Sequence, residues 1–367
     1  MSTTGSAAAG STVAAPDQTA PAATPGASTD EDLGRNRLAD RLIKRPELAA
    51  LVGAVGVFVF FSVITEQFLS PLGVATWLDD AATLGIMAVA VALLMIGGEF
   101  DLSAGVMTAS SALVTGLLAT EVGLNVWVAM AVSLVFALGV GAANGWVVIR
   151  TGLPSFIVTL GTFFALQGLN LGVTRLVTGS VTVSGISSAP GYESAGALLA
   201  SKISVFGTGV QVSVFWWVIV TVLAAFVLLR TRFGNWIFAV GGAADSARGV
   251  GVPVMRTKVL LFMTTAGAGW LVGQMLLLRF TSVQANQGIG AEFQYIIAAV
   301  IGGCLLTGGF GSAVGAAIGA LIFGMARQGI VFAQWNSDWF QLFLGAMLLA
   351  AVLVNNSFRK RAERSRR

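Results

Sequence analysis

The stretch RTRFGNWIFAVGGAADSARGVGVPVMRTK, from Arg230 to Lys258, is strongly basic and lies between two long apolar runs. It carries five arginine or lysine residues and a single acid, Asp245. On either side the chain is almost uncharged for the length of a membrane crossing. Basic loops of membrane proteins stay on the cytoplasmic side. The stretch therefore predicts a cytoplasmic loop, residues 230–258, between two spanning helices.

The composition of the whole chain agrees with a membrane protein. Of the 367 residues, 56% are hydrophobic and 10% are charged, and the mean hydropathy is +0.84. Soluble domains carry about 25% charged residues. The apolar residues come in blocks of about 20, the length of a helix that crosses the hydrocarbon layer. The predicted fold class is therefore all-α, a polytopic integral membrane protein whose backbone groups are paired within helices.

The inventory of reactive residues excludes several kinds of function. The chain has no histidine, which excludes histidine-based catalysis and histidine metal sites. Its one cysteine, Cys304, lies in an apolar run, where we expect a buried packing residue. The phosphate-binding pattern G-x-x-x-x-G-K-S/T is absent. We find no constellation of nucleophile, base and metal ligand, and predict a protein that is not an enzyme and holds no cofactor or metal.

The apolar runs divide the chain into three regions. Residues 1–46 form a low-complexity tail that ends in a basic stretch, and we expect it to be disordered. Residues 47–356 form the transmembrane domain, and residues 357–367 form a basic tail. Ten spanning segments are predicted, with nine or eleven as the alternatives from hydropathy alone. They are 48–68, 81–98, 104–122, 126–149, 156–177, 211–229, 259–279, 292–308, 312–333 and 339–355.

The distribution of charge predicts the orientation. With ten crossings and both termini in the cytoplasm, 17 of the 21 arginine and lysine residues lie on the cytoplasmic side. The high pI of about 9.7 therefore reflects topology rather than nucleic-acid binding. Segment 178–210 becomes the longest external connection, in which we expect a short helix on the surface. It is either a docking site for a soluble partner or a simple connector. The acids placed outside are Glu66, Asp79, Asp80, Glu193 and Asp338.

The motif GGEFDLSAG, from Gly97 to Gly105, separates the second and third segments. Glu99 and Asp101 are close to apolar sequence on both sides, and ionisable residues in such positions are functional candidates. Two compatible roles are open for Asp101, which can line a pathway or cap the next helix. Gly97 and Gly98 permit a break in the helix.

Uncharged polar residues recur between Asn144 and Thr174. Amide and hydroxyl groups beside aromatic rings suit a hydroxylated solute such as a sugar, whereas an ion asks for a cluster of carboxylates. The alternative is hydrogen bonding between helices, which such residues commonly provide in membranes. Together with Asp101, these residues are the predicted lining of a translocation pathway: Asn144, Thr159, Thr162, Gln167 and Asn170.

Small residues recur every four positions at Gly311, Gly315 and Gly319. Such a face predicts close helix packing, either within the chain or against a second copy. Glu292 stands at the start of the eighth segment, where a carboxylate favours a helix N-terminus.

Within the cytoplasmic loop, Gly241 and Gly242 predict a turn, and Gly251 followed by Pro253 predicts the end of a short helix. A short helix across the cytoplasmic face is a rigid lever for another protein, and a loop that only orients the chain is the alternative. The predicted contact residues are Ala243, Ala244, Asp245, Ser246, Ala247, Arg248, Gly249, Val250 and Gly251.

Four ordered motifs resemble the permease subunits of bacterial ABC importers for monosaccharides, of the ribose and xylose type, which are related to branched-chain amino acid permeases. They are GGEFDLSAG, PSFIVTLGTFFALQG, AVGGAADSARGVGV and AAVIGGCLLTGGFGSAVGAAIGAL. The resemblance covers about residues 48–355 and leaves the N-terminal tail outside.

This resemblance implies a multi-pass protein of the bacterial cytoplasmic membrane that works beside a second permease chain. Two ABC ATPase subunits would bind inside, on Ala243–Gly251 as a coupling helix, and a soluble sugar-binding protein would bind outside. The expected activity is import of a monosaccharide by alternating access. The alternatives are another cargo (a branched-chain amino acid or a sugar-like signal), export, and an ion-coupled carrier, for which only Glu99 and Asp101 could supply the paired carboxylates.

Overall fold

The structure, a computed structural model, describes residues 46–364, so the predicted N-terminal tail up to residue 45 lies outside the described part. The described chain folds into twelve α-helices. They are α1 Pro46–Ile64, α2 Pro71–Ile96, α3 Ala104–Thr120, α4 Val126–Thr151, α5 Ser155–Thr178, α6 Tyr192–Leu199, α7 Val212–Arg230, α8 Arg232–Gly249, α9 Val254–Phe280, α10 Ala291–Ile301, α11 Ala313–Phe332 and α12 Trp339–Arg364.

The all-α class and the multi-pass architecture are confirmed. Within residues 46–364, seven helices are long and apolar enough to cross a membrane, and three shorter apolar helices accompany them, namely α3, α10 and the first half of α12. Each of the ten predicted segments coincides with one of these helices. The eighth, predicted over 292–308, ends at Ile301 because Gly302 and Gly303 turn the chain. The last continues to Arg364, into the predicted basic tail.

The start of the second segment was predicted ten residues too late. Ser70 caps α2 by accepting a hydrogen bond from the Gly73 amide at 3.0 Å, and Pro71 occupies the first helical position. Asp79 and Asp80 therefore lie in the third turn of α2 and not in an external loop. A hydropathy pattern treats carboxylates as residues outside the membrane. It cannot take account of partners that are distant in the sequence.

Helix α2 is the centre of the domain. Every residue from Leu84 to Ile96 is buried, as expected for a helix that is apolar on all sides. Gly85 accommodates the Trp217 ring of α7, and Gly324 of α11 fits against the α2 backbone. By contrast, α1, α5 and α7 expose large apolar side chains, which suits contact with lipid or with a second chain.

The segment between α5 and α7 contains structure that the sequence pattern predicted only in part. The expected short helix is α6, and the Tyr192 hydroxyl donates to the Leu278 carbonyl of α9 at 2.9 Å. Strand β1 (Thr182–Ser184) also pairs antiparallel with β4 (Ser282–Gln284). Strands β2 (Lys202–Val205) and β3 (Thr208–Gln211) form a hairpin. Strands of three or four residues are too short to give an alternating pattern.

Candidate functional site: interrupted helices and the cytoplasmic segment

The motif around Asp101 interrupts a membrane crossing between α2 and α3. Gly97 ends α2, and Gly98 has a φ of +83°. The interruption frees backbone N–H groups that need partners inside a membrane. The Phe100 amide donates to Ser155 Oγ and the Leu102 amide donates to Thr159 Oγ1, both at 3.0 Å. The first turns of α5 therefore stabilise the open backbone.

The position of the interruption along α9 shows its depth. Glu99 forms an ion pair with Lys258, in the second turn of α9. Ala104, the first residue of α3, lies beside Gly269 of the same helix. Lys258 and Gly269 are separated by about 16 Å at 1.5 Å per residue. The non-helical residues 99–103 therefore run beside the first half of α9, and Leu102 and Ser103 form a turn before α3 begins.

Four of the six predicted pathway residues meet at this interruption. Asp101 Oδ1 accepts hydrogen bonds from the Ser103 amide at 2.8 Å and from Ser103 Oγ at 2.5 Å. Asn144 Nδ2 of α4 donates to Ser103 Oγ at 3.1 Å. Thr162 Oγ1 of α5 donates to Asn144 Oδ1 at 2.6 Å. With Thr159 on the Leu102 amide, a buried polar network joins the interruption to α4 and α5.

The remaining two pathway residues lie farther along α5 and are separate from this network. Gln167 is half-buried, and its side chain makes no hydrogen bond with any described residue. Asn170 is buried, and its Nδ2 has no acceptor among residues 46–364. Asp101 binds the backbone of Ser103, and neither residue makes a side-chain capping bond to the first turn of α3.

A second interruption precedes α10 and meets the first. Gly288 lies against Gly105 and Thr108, so that a Cβ on Gly288 would be 2.7 Å from Thr108 Oγ1. The Glu292 carboxylate also contacts Gly105 and accepts from the Gly290 amide at 3.1 Å. The N-termini of α3 and α10 therefore come together within the domain. Interrupted helices that direct their N-termini at a common point are typical of solute sites in transporters.

Two groups of residues at this level escaped the sequence analysis. Glu292 was interpreted only as a helix-start residue, because nothing local shows how deep that helix begins. A second buried cluster joins α3, α4 and α9 through Ser133, which accepts from Thr115 Oγ1 at 2.7 Å and from Trp270 Nε1 at 2.9 Å. Gln274 Nε2 donates to the Ser111 carbonyl at 3.3 Å. These residues are single polar positions on different helices, which no spacing rule groups together.

Three backbone segments touch at a glycine junction, formed by Gly98, Gly241 and Gly308. A Cβ on Gly308 would lie 2.7 Å from the Gly98 Cα and 2.9 Å from the Gly241 carbonyl oxygen. The Gly309 amide donates to the Ile96 carbonyl at 2.8 Å. The interruption after α2, the turn after α10 and the end of the first part of α8 are thus in direct backbone contact.

The glycine face on α11 is used within the chain. Side chains added at Gly315 and Gly319 would collide with the carbonyl groups of Gly302 and Ala298 in and after α10. Gly311 precedes the first residue of α11 and is not part of that helical face.

The predicted turn at Gly241 and Gly242 is displaced. Helix α8 continues through both glycines and breaks at Ala243, which has φ −160° and ψ 90°. A second short helical part then runs to Gly249, and Gly251 with φ +85° precedes Pro253 and α9. The break falls one residue later because Gly241 is held inside the glycine junction.

We name residues 243–251 the cytoplasmic segment, after the side of the membrane on which the charge distribution predicts them. Ala247 is buried against Val240 of α8 and Val254 of α9, which docks the segment on the helix ends. The Asp245 side chain is 98% exposed and pairs with Arg248 at 3.2 Å. Val250 is also exposed. The segment therefore presents charge and an apolar side chain on a short helical element that Ala247 anchors.

Comparisons with known proteins agree with these features. A family model described as "Branched-chain amino acid transport system / permease component" matches residues 73–352. The probable ABC transporter permease protein YphD of Escherichia coli is 32% identical over 322 residues, which cover 88% of this chain and 92% of that protein. No solved structure gives a significant match.

Two further relatives carry substrate names. The xylose transport system permease protein XylH of Escherichia coli is 29% identical, over 85% of this chain and 92% of that protein. The ribose import permease protein RbsC of Bacillus subtilis is 28% identical, over 84% of this chain and 92% of that protein.

Proposed function

Since the chain belongs to the permease family of branched-chain amino acid transport systems, we propose that it is the membrane subunit of an ABC importer for a monosaccharide. The protein is a multi-pass component of the cytoplasmic membrane, and it is a transport subunit rather than an enzyme. The proposal adds the class of solute, the direction of transport, and the residues that form the pathway and contact the ATPase.

The polar network at the α2–α3 interruption is the observation that carries the proposed solute class. Ser103, Asn144 and Thr162 offer hydroxyl and amide groups, and the Asp101 carboxylate is already bound to Ser103. Groups of this kind exchange hydrogen bonds with sugar hydroxyls. Relatives that are named for xylose, ribose and autoinducer-2 support the same class.

We assign the pathway to the region where the N-termini of α3 and α10 meet, lined by the six sequence-predicted residues and by Glu292. Transport follows alternating access. A partner ATPase moves the cytoplasmic segment, and the interrupted helices change from an outward-open to an inward-open arrangement. The partners are two ABC ATPase subunits inside, a second permease chain in the membrane and a solute-binding protein outside. The exposed faces of α1, α5 and α7 are available to the second chain.

The contact with the ATPase is tested by reversing the charges of the cytoplasmic segment. Asp245→Arg with Arg248→Glu keeps the ion pair within the segment but reverses its orientation. Glu193→Lys with Lys202→Glu makes the same reversal in exposed residues of segment 178–210, on the opposite side of the proposed topology. Affinity purification from detergent, followed by mass spectrometry, should recover the ATPase with wild type and with the control pair.

Recovery should fall at least tenfold for the reversed cytoplasmic pair. If that variant recovers as much ATPase as wild type does, the ATPase contact lies elsewhere on the chain. If folded wild type recovers no ATPase, the importer function itself is contradicted.

The description of the family favours a second candidate cargo, a branched-chain amino acid. Uptake into proteoliposomes that contain the co-purified complex separates the two cargoes. ATP-dependent uptake of xylose or ribose that leucine does not compete away supports the sugar. Uptake of leucine alone would replace the sugar by the amino acid. Uptake driven by a proton or sodium gradient without an ATPase would favour an ion-coupled carrier.

A further inference from the structure

Two ion pairs join the α2 region to α9, one at each end. Arg279 Nη1, near the end of α9, binds Asp79 Oδ2 at 2.5 Å, and Ser213 Oγ donates to the same carboxylate at 2.9 Å. Lys258, near the start of α9, binds Glu99 just after α2. About 20 residues separate the pairs along either helix, which corresponds to about 30 Å. The two helices are therefore held together at both ends.

We call Glu99–Lys258 the inner pair and Asp79–Arg279 the outer pair. The inner pair lies close to the cytoplasmic segment, whereas the outer pair does not. Lys258 lies seven residues after Gly251, the last residue of the cytoplasmic segment, and Pro253 and Val254 start α9 between them. Val254 packs against Ala247 of the segment. One turn of helix thus separates the exposed cytoplasmic segment from the Lys258 ammonium group, so a displacement of the segment reaches that group directly.

The other partner, Glu99, belongs to the interruption itself. It follows Gly98, which touches Gly241 in the glycine junction, and it precedes Phe100 and Asp101, which belong to the non-helical backbone between α2 and α3. The interruption is therefore held from both sides of the cytoplasmic segment. The α8 side acts through a backbone contact at Gly241, and the α9 side acts through the ion pair.

Burial makes the partners of this pair costly to separate, although the pair itself adds little net stability. The side chains of Glu99 and Lys258 are 8% and 17% exposed. A buried ion pair contributes little net stability because desolvation offsets the attraction, but separating its partners leaves an uncompensated charge. When Lys258 moves, Glu99 is therefore driven to move with it.

We infer that the Glu99–Lys258 pair transmits the movement of residues 243–251 to the α2–α3 interruption, so that its loss separates ATP hydrolysis from solute movement. This inference rests on the proposed importer function. Glu99 and Lys258 are positioning residues, and neither has to touch the solute. The outer pair joins the same two helices without contacting the cytoplasmic segment, and it therefore serves as the matched control.

The experiment measures solute moved per ATP hydrolysed in proteoliposomes that contain the full complex, with radiolabelled xylose and ribose as probes. Glu99→Gln and Lys258→Gln should keep ATP hydrolysis within about threefold of wild type and lower uptake at least tenfold. The double variant Glu99→Lys with Lys258→Glu restores the pair and should recover uptake to within about threefold. Asp79→Asn should lower thermal stability in detergent and leave the transport ratio unchanged.

Each outcome decides one question. A wild-type ratio in folded Glu99→Gln contradicts the inference, and so does an equal loss of the ratio in Asp79→Asn. If both single variants misfold, the charge-reversed pair decides: a wild-type ratio supports the inference, and a folded but uncoupled protein contradicts it. Wild type that hydrolyses ATP without moving either probe contradicts the proposed sugar, and wild type that binds no ATPase contradicts the importer.

Discussion

At the scale of single residues, Asn144 connects the interruption to α5. Its Nδ2 donates to Ser103 Oγ, and its Oδ1 accepts from Thr162 Oγ1. The amide is buried, so removing it leaves two hydroxyl groups with fewer partners in a region of low dielectric constant. The side chain therefore fixes the geometry of the network that we propose as part of the solute pathway.

We expect Asn144→Ala to lower the rate of sugar uptake about tenfold or more, because each lost hydrogen bond is worth about 1 kcal/mol and the Thr162 hydroxyl loses its acceptor. Gln167→Ala is the comparison, since Gln167 is assigned to the same pathway but its side chain makes no hydrogen bond within the described residues. Uptake into proteoliposomes measures both variants. A larger loss for Gln167→Ala than for Asn144→Ala would place solute contact higher on α5 and remove the network from the pathway.

Two adjacent glycines give a second comparison. A Cβ on Gly241 would collide with the Ile96 carbonyl oxygen and lie 2.7 Å from the Gly309 amide, whereas a Cβ on Gly242 meets nothing within 4 Å. We expect Gly241→Ala to destabilise the protein by about 1–3 kcal/mol through overpacking, and Gly242→Ala to have little effect. Thermal unfolding in detergent measures the difference. Equal unfolding temperatures for the two variants would show that the glycine junction is not tightly packed.

At the scale of elements, the interruption between α2 and α3 depends on α5. Thr159 Oγ1 accepts from the Leu102 amide and donates to the Ser155 carbonyl of its own helix. The open backbone is therefore satisfied by a neighbouring helix, as a membrane interior requires. A break of this kind could be predicted from Gly97 and Gly98, but the groups that stabilise it lie more than 50 residues away.

Thr159→Val keeps the shape of the side chain. We expect it to lower the free energy of unfolding by about 1–3 kcal/mol, because the Leu102 amide loses its acceptor. Thr264→Val is the matched control in α9, where the hydroxyl is exposed and bonds only to the Leu260 carbonyl of its own helix. Thermal unfolding in detergent should separate the two variants by several degrees. A smaller effect at Thr159 than at Thr264 would mean that water or lipid satisfies the amide.

At the scale of the whole molecule, the sequence predicted the helices better than their partners. Hydropathy located all seven helices that are long and apolar enough to cross a membrane within residues 46–364, because each segment is recognised by its own apolar residues. It placed Asp79 outside because a lone carboxylate is unfavourable in lipid. In the structure, Arg279, which is 200 residues away, forms an ion pair with Asp79 and offsets its charge. The Glu99–Lys258 contact was likewise hidden by a separation of 159 residues. Glu292 shows the same limit, since the depth of α10 is set by Gly105 and Thr108 on another helix.

The predicted orientation can be tested with thiol labelling. Cys304 is fully buried, so a membrane-impermeant maleimide should not label the native protein. Ser204→Cys, in the β2–β3 hairpin, should react in intact spheroplasts, because the predicted topology places residues 178–210 outside. Ser246→Cys, in the cytoplasmic segment, should react only after the membrane is opened. Labelling of Ser246→Cys in sealed spheroplasts would invert the topology and overturn the assignment of the ATPase contact.

The β2–β3 hairpin has a consequence for how the protein can be produced. Its turn at Phe206 and Gly207 is exposed, and exposed loop tips tolerate breaks in the chain. The residues before and after it are joined elsewhere by β1–β4, by the Tyr192 bond to α9 and by the Asp79–Arg279 pair. The gene can therefore be divided after the codon for Phe206, and the two co-expressed polypeptides should reassemble in the membrane. Each half of the protein can then be labelled separately.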